Sequence, residues 1–209
     1  MSEITHGLRS VLSHSRIYDL FQWIMGAKRG RTIFSSQYIK ARDGDYVLDI
    51  GCGTAEIRLF LPDVEYFGFD PNAHYIEAAK KRLQEARKKG SLRHATLDEA
   101  ALTELPKFDI VLVSGVLHHL SDDEVIQLAQ LAKAALKEGG RLITIDPCFV
   151  EGQSLIARYL VSHDRGQHVR DVKGYQMLMS SVFASVGCDV RHDFARFPYT
   201  HLIMECATQ

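Results

Sequence analysis

The sequence predicts an α/β fold in which a mostly parallel, doubly wound sheet carries helices on both faces. Short apolar segments such as YVLDI (46–50) and FDIVLVSG (108–115) alternate along the chain with helical patterns. Nearly continuous apolar strands are typical of parallel sheets that are buried on both faces. The last two apolar segments, CDVRHDFAR and YTHLIMEC, meet around Pro198 with no helix between them, so we expect them to pair antiparallel.

The individual elements follow from apolar periodicity and from the residues that end helices. Strands are expected at 46–50, 65–70, 91–96, 108–115, 141–146, 188–196 and 199–206. Helices are expected at 8–28, 36–40, 55–61, 72–89, 98–105, 121–137, 152–161 and 171–186. Pro62, Gly90, Pro106, the Gly139-Gly140 pair and Gly187 are the expected helix stops.

The chain has 209 residues, 46% of them hydrophobic and 24% charged, which fits one globular domain. We divide it into an N-terminal helical lid at 1–40 and a main domain at 41–209. Within the main domain, we expect the polar connection at 147–171 to be an insertion that covers the substrate.

Composition excludes several classes of protein. The formal net charge is −1, so the basic surface of a dedicated nucleic-acid binder is missing. No stretch has the roughly 18 apolar residues that span a bilayer, and no apolar signal core follows MSEITHGLRS, so we expect a cytoplasmic protein with no membrane partner. The four cysteines lack zinc-ribbon spacing, so we expect no metal site. At least three of them lie in apolar, strand-like segments, so we expect reduced thiols buried in the core.

The segment DIGCGT, at the end of the first strand, predicts a ligand site. Gly51 and Gly53 let the backbone approach a ligand closely, and Asp70, which ends the second strand, is placed to bind ribose hydroxyls. A nicotinamide-binding loop needs Gly or Ala where Glu56 stands, and a carboxylate there would face a pyrophosphate with the wrong sign. The pattern favours an adenosine ligand without phosphates.

VLDIGCGTAE resembles the first motif of the class I S-adenosylmethionine (SAM)-dependent methyltransferases. GFDPNAHYIEAAKKR, ATLDEAALTEL, KFDIVLVSGVLHHL and LAKAALKEGGRLITIDP resemble the family's later segments, in the same order, over residues 45–147. The resemblance implies a Rossmann-like, seven-stranded sheet in the order 3-2-1-4-5-7-6 with the last strand antiparallel. It also implies SAM as cofactor and S-adenosylhomocysteine as product.

The resemblance also implies a set of cofactor-binding residues. Asp49, Gly51 and Gly53 would meet the methionine part, Asp70 the ribose, and Asp98 with Glu99 the adenine. Ser114 or Gly115 would lie beneath the methionine end, Tyr18 or Arg31 would bind its carboxylate, and Cys52 and Pro71 complete the motifs. Asp98 could instead only cap a helix, and Asp49 could instead only form a turn.

His118 and His119 follow the fourth strand, near the expected position of the reactive methyl group. A histidine there can take a proton from a hydroxyl or an ammonium group. Adjacent residues do not face the same site, so we expect one ring in the pocket and favour His118. The alternative is that both pack and cap the turn before the next helix.

The acceptor is expected to be a small polar metabolite, methylated at oxygen, nitrogen or carbon. Arg165, His168 and Arg170 concentrate charge in the connection and could bind a carboxylate or phosphate, unless this is only a solvated loop. Tyr199 and His201 are further candidates for the substrate pocket. An RNA or protein methyltransferase, a non-catalytic SAM-binding regulator and an NAD-dependent oxidoreductase are the alternatives, and monomer and homodimer both stay open.

Overall fold

The computed structural model describes residues 27–163 and 166–208, and its centre is a seven-stranded sheet. The strands are β1 (Tyr46–Ile50), β2 (Glu65–Asp70), β3 (Ser91–His94), β4 (Phe108–Ser114), β5 (Leu136–Pro147), β6 (Ser185–Arg191) and β7 (His201–Ala207). Their order is β3-β2-β1-β4-β5-β7-β6, which confirms the predicted topology. Most of the predicted helical segment at 8–28 lies outside the described residues.

Helices connect the strands. They are α1 (Ala27–Ile33), α2 (Ala73–Glu85), α3 (Glu99–Thr103), α4 (Asp122–Ala135), α5 (Leu155–Ser162) and α6 (Val172–Ser180). A π-helix (Phe34–Ile39) follows α1, and two 3₁₀ turns lie at Glu56–Phe60 and Leu117–His119. Ser121 and Glu124 form a capping box at the start of α4, which satisfies backbone donors that the helix itself leaves open. None of these helices is long and apolar enough to cross a bilayer.

Both faces of the sheet are buried, as a doubly wound fold requires. On β4, Val111 and Val113 pack into the core that contains Ala129 of α4, while Leu112 packs into the core beneath Phe34. All three of these β4 side chains are fully buried. Because successive strand residues point to opposite faces, the unbroken apolar run 110–113 in β4 indicates helices on both sides.

The pairing directions bring several strand ends to one edge. β1 is parallel to β2 and β4, and β4 is parallel to β5, so their carboxyl ends meet there. β7 is antiparallel to both β5 and β6, so it begins at that edge, with His201 opposite Pro147. The loops that leave this edge build the candidate site.

Two of the predicted helix stops are wrong. The helix before Gly139-Gly140 already ends at Ala135, and the glycine pair lies inside β5. A Cβ on Gly140 would lie 2.9 Å from the carbonyl oxygen of Phe108, where the β4–β5 register shifts. The last helix ends at Ser180, and Gly187 lies within β6, opposite Glu205.

Candidate functional site

The glycine loop follows β1 with two glycines in the left-handed region. Gly51 has φ 73° and Gly53 has φ 53°, values that favour glycine. A Cβ on Gly51 would lie 2.5 Å from the Val116 side chain, whereas one on Gly53 would meet nothing within 4 Å. Gly51 is therefore required for packing, and Gly53 faces open space. Cys52 is buried with its thiol toward Gly68, and its contact with the cofactor stays a prediction.

Asp70 links the glycine loop to β2. One carboxylate oxygen accepts a hydrogen bond from the Gly53 amide at 2.9 Å, and the other accepts from the Asn72 amide at 2.8 Å. Each oxygen has a second lone pair, so the carboxylate can also accept hydrogen bonds from a ligand. Pro71 follows, with its carbonyl oxygen 3.0 Å from Nε2 of His94.

Asp49 lies below the loop and is 2% exposed. Its Oδ2 accepts a hydrogen bond from the Tyr66 hydroxyl at 2.5 Å, while Oδ1 has no hydrogen-bond partner among the described residues. Burial raises the pKa of Asp49 to about 7; the Tyr66 hydrogen bond opposes this rise and the nearby Asp70 adds to it. An unpartnered, buried carboxylate oxygen favours a cationic ligand group.

Asp98 caps α3 by accepting a hydrogen bond from the Ala101 amide at 2.7 Å. Its side chain is exposed, as is that of Glu99, the first residue of α3. The cap is thus one role of Asp98, and contact with adenine stays a prediction for both residues.

Glu56 does not point into the ligand space as the sequence suggested. Its carboxylate forms ion pairs with Arg31 of α1 and with Arg82 of α2, the latter at 3.2 Å. Because two guanidinium groups compensate its charge, the sign argument against a pyrophosphate does not hold in the fold. Arg31 lies beside the loop, as a candidate for binding a carboxylate should.

His118 is 5% exposed and lies on the 3₁₀ turn after β4. Its Nδ1 is 2.7 Å from Oδ1 of Asp146, and its backbone amide donates to the same oxygen at 3.2 Å. Since that oxygen already accepts one hydrogen bond, we assign Nδ1 as the protonated nitrogen, which leaves the lone pair on Nε2. Burial raises the pKa of Asp146, and its hydrogen bond to His118 opposes that rise.

Ser114, Gly115 and His119 surround His118 on the turn after β4. Ser114 ends β4 with a buried hydroxyl that has no hydrogen-bond partner in the described part of the chain. Gly115 follows with φ 67°. The His119 ring is exposed, with its centroid 4.0 Å from that of His118. The Asp146 carboxylate holds the His118 ring in a fixed orientation.

The connection after α5 packs on His118. A Cβ on Gly166 would lie 2.0 Å from Cδ2 of His118, and the His168 amide donates to the His118 carbonyl at 2.9 Å. The Arg170 guanidinium donates to the carbonyls of Leu117, Leu120 and His168 and to Asp122. The structure therefore uses Arg170 to hold the histidine turn, and its contact with a substrate stays a prediction.

A pocket of about 520 Å³ opens between the loops after β5 and before β7. Tyr199 lines it, and the His201 ring lies 4.9 Å from that of Tyr199. Polar side chains in its wall are Gln153, His192, Arg196 and Thr200, and Gln153 donates to the Thr200 hydroxyl at 2.8 Å. Tyr18 and Arg165, also predicted as site residues, lie outside the described residues.

The sequence reasoning missed three residues of this site: Asp146, Tyr66 and Arg82. Asp146 had a visible signal, because the acid in RLITIDP stands at the end of a strand, at the ligand-binding edge. Tyr66 and Arg82 had none, since an aromatic residue in a strand and an arginine on a helix are ordinary there.

Comparison with known proteins identifies the domain. Residues 48–142 match a family model described as "Methyltransferase domain". An uncharacterized methyltransferase of Anoxybacillus flavithermus is 24% identical over 131 residues, which are 60% of this chain and 58% of that protein. The chain thus spans less than two thirds of the length of this relative.

Two solved structures share the fold. The apo crystal structure of the S-adenosylmethionine-dependent methyltransferase SibL matches with a TM-score of 0.73 and 18% identity, covering 97% of this chain and 61% of SibL. The pyocyanin biosynthetic protein PhzM matches with a TM-score of 0.71 and 17% identity, covering 97% of this chain and 62% of PhzM. Residues 48–142 therefore match a methyltransferase domain, and the chain has the class I, Rossmann-like fold of solved SAM-dependent methyltransferases.

Proposed function

We propose that this chain transfers a methyl group from SAM to a small polar metabolite, with His118 as the general base. The observation that carries the proposal is the buried His118–Asp146 pair, beside the strand that bears the glycine loop. β1, β4 and β5 are neighbours in the sheet. With about 4.8 Å between adjacent strands, the glycine loop and Asp146 are separated by about 10 Å. A cofactor on the loop and an acceptor at His118 would thus be within reach of each other.

The residues at the glycine loop fit SAM. Asp49 offers an unpartnered buried oxygen, Asp70 offers free lone pairs, and Gly53 faces open space. Two carboxylates beside the loop attract a ligand with positive charge and repel a pyrophosphate. This argument against a pyrophosphate does not depend on the charge of Glu56. In this assignment Asp70 binds the ribose hydroxyls, Arg31 binds the carboxylate of the cofactor, and Ser114 with Gly115 lies beneath its methionine end.

The chemistry divides between cofactor and protein. When bound, SAM supplies a methyl group on a positively charged sulfur, which leaves as a neutral thioether. The protein orients the acceptor, and His118 Nε2 takes the acceptor proton, where there is one to lose, as the new bond forms. Asp146 keeps the ring in the tautomer that has its lone pair on Nε2, and it stabilises the positive charge that the ring acquires.

The 520 Å³ pocket, whose wall includes neither His118 nor a residue of the glycine loop, has a size and lining that suit a small molecule. Its wall combines rings, such as those of Phe197 and Tyr199, with the hydrogen-bonding groups of Gln153 and Thr200. This mixture suits a polar molecule of moderate size. PhzM, which shares the fold, is described as a biosynthetic protein, in line with a small-molecule acceptor.

Calorimetry tests the cofactor assignment. We expect S-adenosylhomocysteine to bind and NADH to show no heat beyond that of buffer. Asp70→Ala should weaken binding about 100-fold, because two hydrogen bonds to a charged group are lost. Asp123→Ala, which removes an exposed carboxylate in the first turn of α4, is the matched control and should bind normally. Failure of the unaltered protein to bind S-adenosylhomocysteine would refute the cofactor assignment.

A labelling experiment tests the acceptor class. The protein is incubated with cell extract and SAM labelled on its methyl group, and the label is followed into small molecules, RNA and protein. Label in the small-molecule fraction, lost with His118→Ala, is the expected outcome. Label in RNA or protein would refute the acceptor class, and no transfer with tight binding would indicate a SAM-binding regulator.

A further inference from the structure

Asp49 and Ser114 lie on one face of the sheet, and each has a buried oxygen that no other residue contacts by a hydrogen bond. Asp49 of β1 stands opposite Leu112 of β4, and Ser114 ends β4 two residues further on, so side-chain alternation places both on the same face. Asp49 Oδ1 and the Ser114 hydroxyl are unpartnered among residues 27–163 and 166–208. The spacing of neighbouring strands puts their Cα atoms about 8 Å apart. A polar group between them would therefore be within reach of both oxygens.

The two oxygens suit a ligand group that donates several hydrogen bonds and carries a positive charge. An ionised carboxylate only accepts hydrogen bonds, and an ammonium group offers three N–H donors. The positively charged sulfur of SAM has no N–H or O–H to donate. The geometry thus favours the ammonium group of the amino-acid part, which SAM and S-adenosylhomocysteine share.

The polar groups around Asp49 supply no positive charge to compensate it. Tyr66 of β2 donates its hydroxyl to Oδ2 at 2.5 Å, and Asp70 at the end of β2 adds a second negative charge. Burial raises the pKa of the Cys52 thiol in the loop, which therefore stays neutral. Arg58 on the 3₁₀ turn acts on Tyr66 and donates to backbone carbonyls. In the described part of the chain, the charged group that acts on Asp49 is thus Asp70, which repels it.

Burial and this repulsion both favour the neutral form of Asp49. Burial is the larger cause and raises the pKa to about 7, while the Tyr66 hydrogen bond opposes the rise. A carboxyl group with such a pKa keeps its proton in a large part of the ligand-free molecules at neutral pH. A cation beside Oδ1 favours the ionised form instead, so ligand binding and proton binding compete at this residue.

We infer that the ammonium group of the cofactor binds between Asp49 and Ser114, and that its binding expels the Asp49 proton into the solvent. The inference rests on the proposed SAM site. The carboxyl O–H bond breaks, the buffer takes the proton, and the resulting carboxylate pairs with the ammonium group. By linkage, a ligand that expels a proton binds more tightly as pH rises. Asp49 then selects adenosine ligands that carry the amino-acid part.

Calorimetry in buffers of low and high ionisation enthalpy counts the protons released on binding. S-adenosylhomocysteine should release about 0.5–0.7 proton at pH 6.5 and less than about 0.2 at pH 8, where Asp49 is already mostly ionised. Its affinity should rise about 5- to 10-fold from pH 6 to pH 8. 5′-Methylthioadenosine, which keeps the adenosine and sulfur but lacks the amino-acid part, should release less than about 0.1 proton.

Three variants assign the proton. Asp49→Asn has no proton to lose, so it should release less than about 0.1 proton and bind S-adenosylhomocysteine with little dependence on pH. Tyr66→Phe removes a hydrogen bond that favours the ionised form, so proton release at pH 8 should increase to above about 0.3. Asp123→Asn, at an exposed position, is the control and should release protons as the unaltered protein does. Thermal unfolding by circular dichroism verifies that each variant is folded.

The outcomes separate this inference from the proposed function. Proton release that persists in Asp49→Asn overturns the inference and leaves the cofactor site standing. Equal release with methylthioadenosine also overturns it, because the ammonium group would not be the cause, and so does binding of S-adenosylhomocysteine without release at pH 6.5. If Asp49→Asn does not fold, Tyr66→Phe decides, and unchanged release at pH 8 overturns the inference. Failure of the unaltered protein to bind either ligand refutes the cofactor assignment itself.

Discussion

Replacing Asp49 with asparagine should stabilise the ligand-free protein at neutral pH and have no such effect in acid. The Asp49 carboxyl is buried, and its pKa rises from the ordinary value of 3.8 to about 7. Each pKa unit of difference between the folded and unfolded states corresponds to about 1.4 kcal/mol. Above pH 7 the ionised Asp49 therefore costs the folded state about 4 kcal/mol.

The direction in which stability changes with pH follows from the protons that the folded and unfolded states bind. Between about pH 4 and pH 7 the folded state keeps the Asp49 proton and the unfolded state has lost it, so stability falls as pH rises. Asparagine does not titrate, so it removes this pH-dependent loss. It also leaves a buried amide beside the Tyr66 hydroxyl, at a constant cost of about 1–3 kcal/mol.

The assay is urea unfolding of the unaltered protein and Asp49→Asn from pH 4 to pH 8 without ligand. The stability difference between them should move in favour of the variant by about 4 kcal/mol over this range. Asp123→Asn, at an exposed position, should show a difference within about 0.5 kcal/mol throughout. A difference for Asp49→Asn that stays constant within about 1 kcal/mol would refute a raised pKa in the folded state.

Three further predictions concern the histidine turn and the core. Asp146→Asn should lower methyl transfer at least about tenfold, because His118 loses a charge-assisted hydrogen bond. The variant should keep the fold and show little change in its affinity for S-adenosylhomocysteine. Unchanged turnover would refute the role of Asp146. Gly166→Ala should lower turnover by displacing the His118 ring, whereas Gly187→Ala, whose Cβ lies 3.7 Å from its neighbour, should not; equal activities would contradict this packing. Arg58→Met should lower the free energy of unfolding by about 3 kcal/mol in urea titrations, since the fully buried guanidinium donates to several carbonyls; a loss under about 1 kcal/mol would contradict that role.

Much of the sheet could be predicted because its signals are local. The apolar run at 108–115 and the short strand at 46–50 are confirmed within a residue. The order of the strands, which the family resemblance implied, is confirmed in full. Predictions based on a glycine as a stop were less successful. Gly140 and Gly187 lie within strands, because each sits opposite a neighbouring strand whose position the local sequence does not contain.

In the candidate site, too, the residues with a local signal could be predicted and the contacts between remote segments could not. Gly51, Gly53 and Asp70 could be chosen from spacing alone, since the turn after a strand and the acid at the end of the next strand are fixed by short stretches of chain. The hydrogen-bond and ion-pair partners of the other site residues could not be chosen in this way. His118 and Asp146 are 28 residues apart, and Glu56 joins arginines from two different helices.

The sequence by itself determined the fold class and the position of the glycine loop, because periodicity and glycine conformation act over a few residues, and its resemblance to a known family implied the strand order. Only the tertiary structure decided that His118 has a carboxylate partner in Asp146, that the Asp49 carboxyl has a raised pKa, and that the Glu56 charge is compensated by Arg31 and Arg82. These properties depend on burial and on distances of a few ångströms between remote segments. Both arise only when parallel strands bring their carboxyl ends to a common edge.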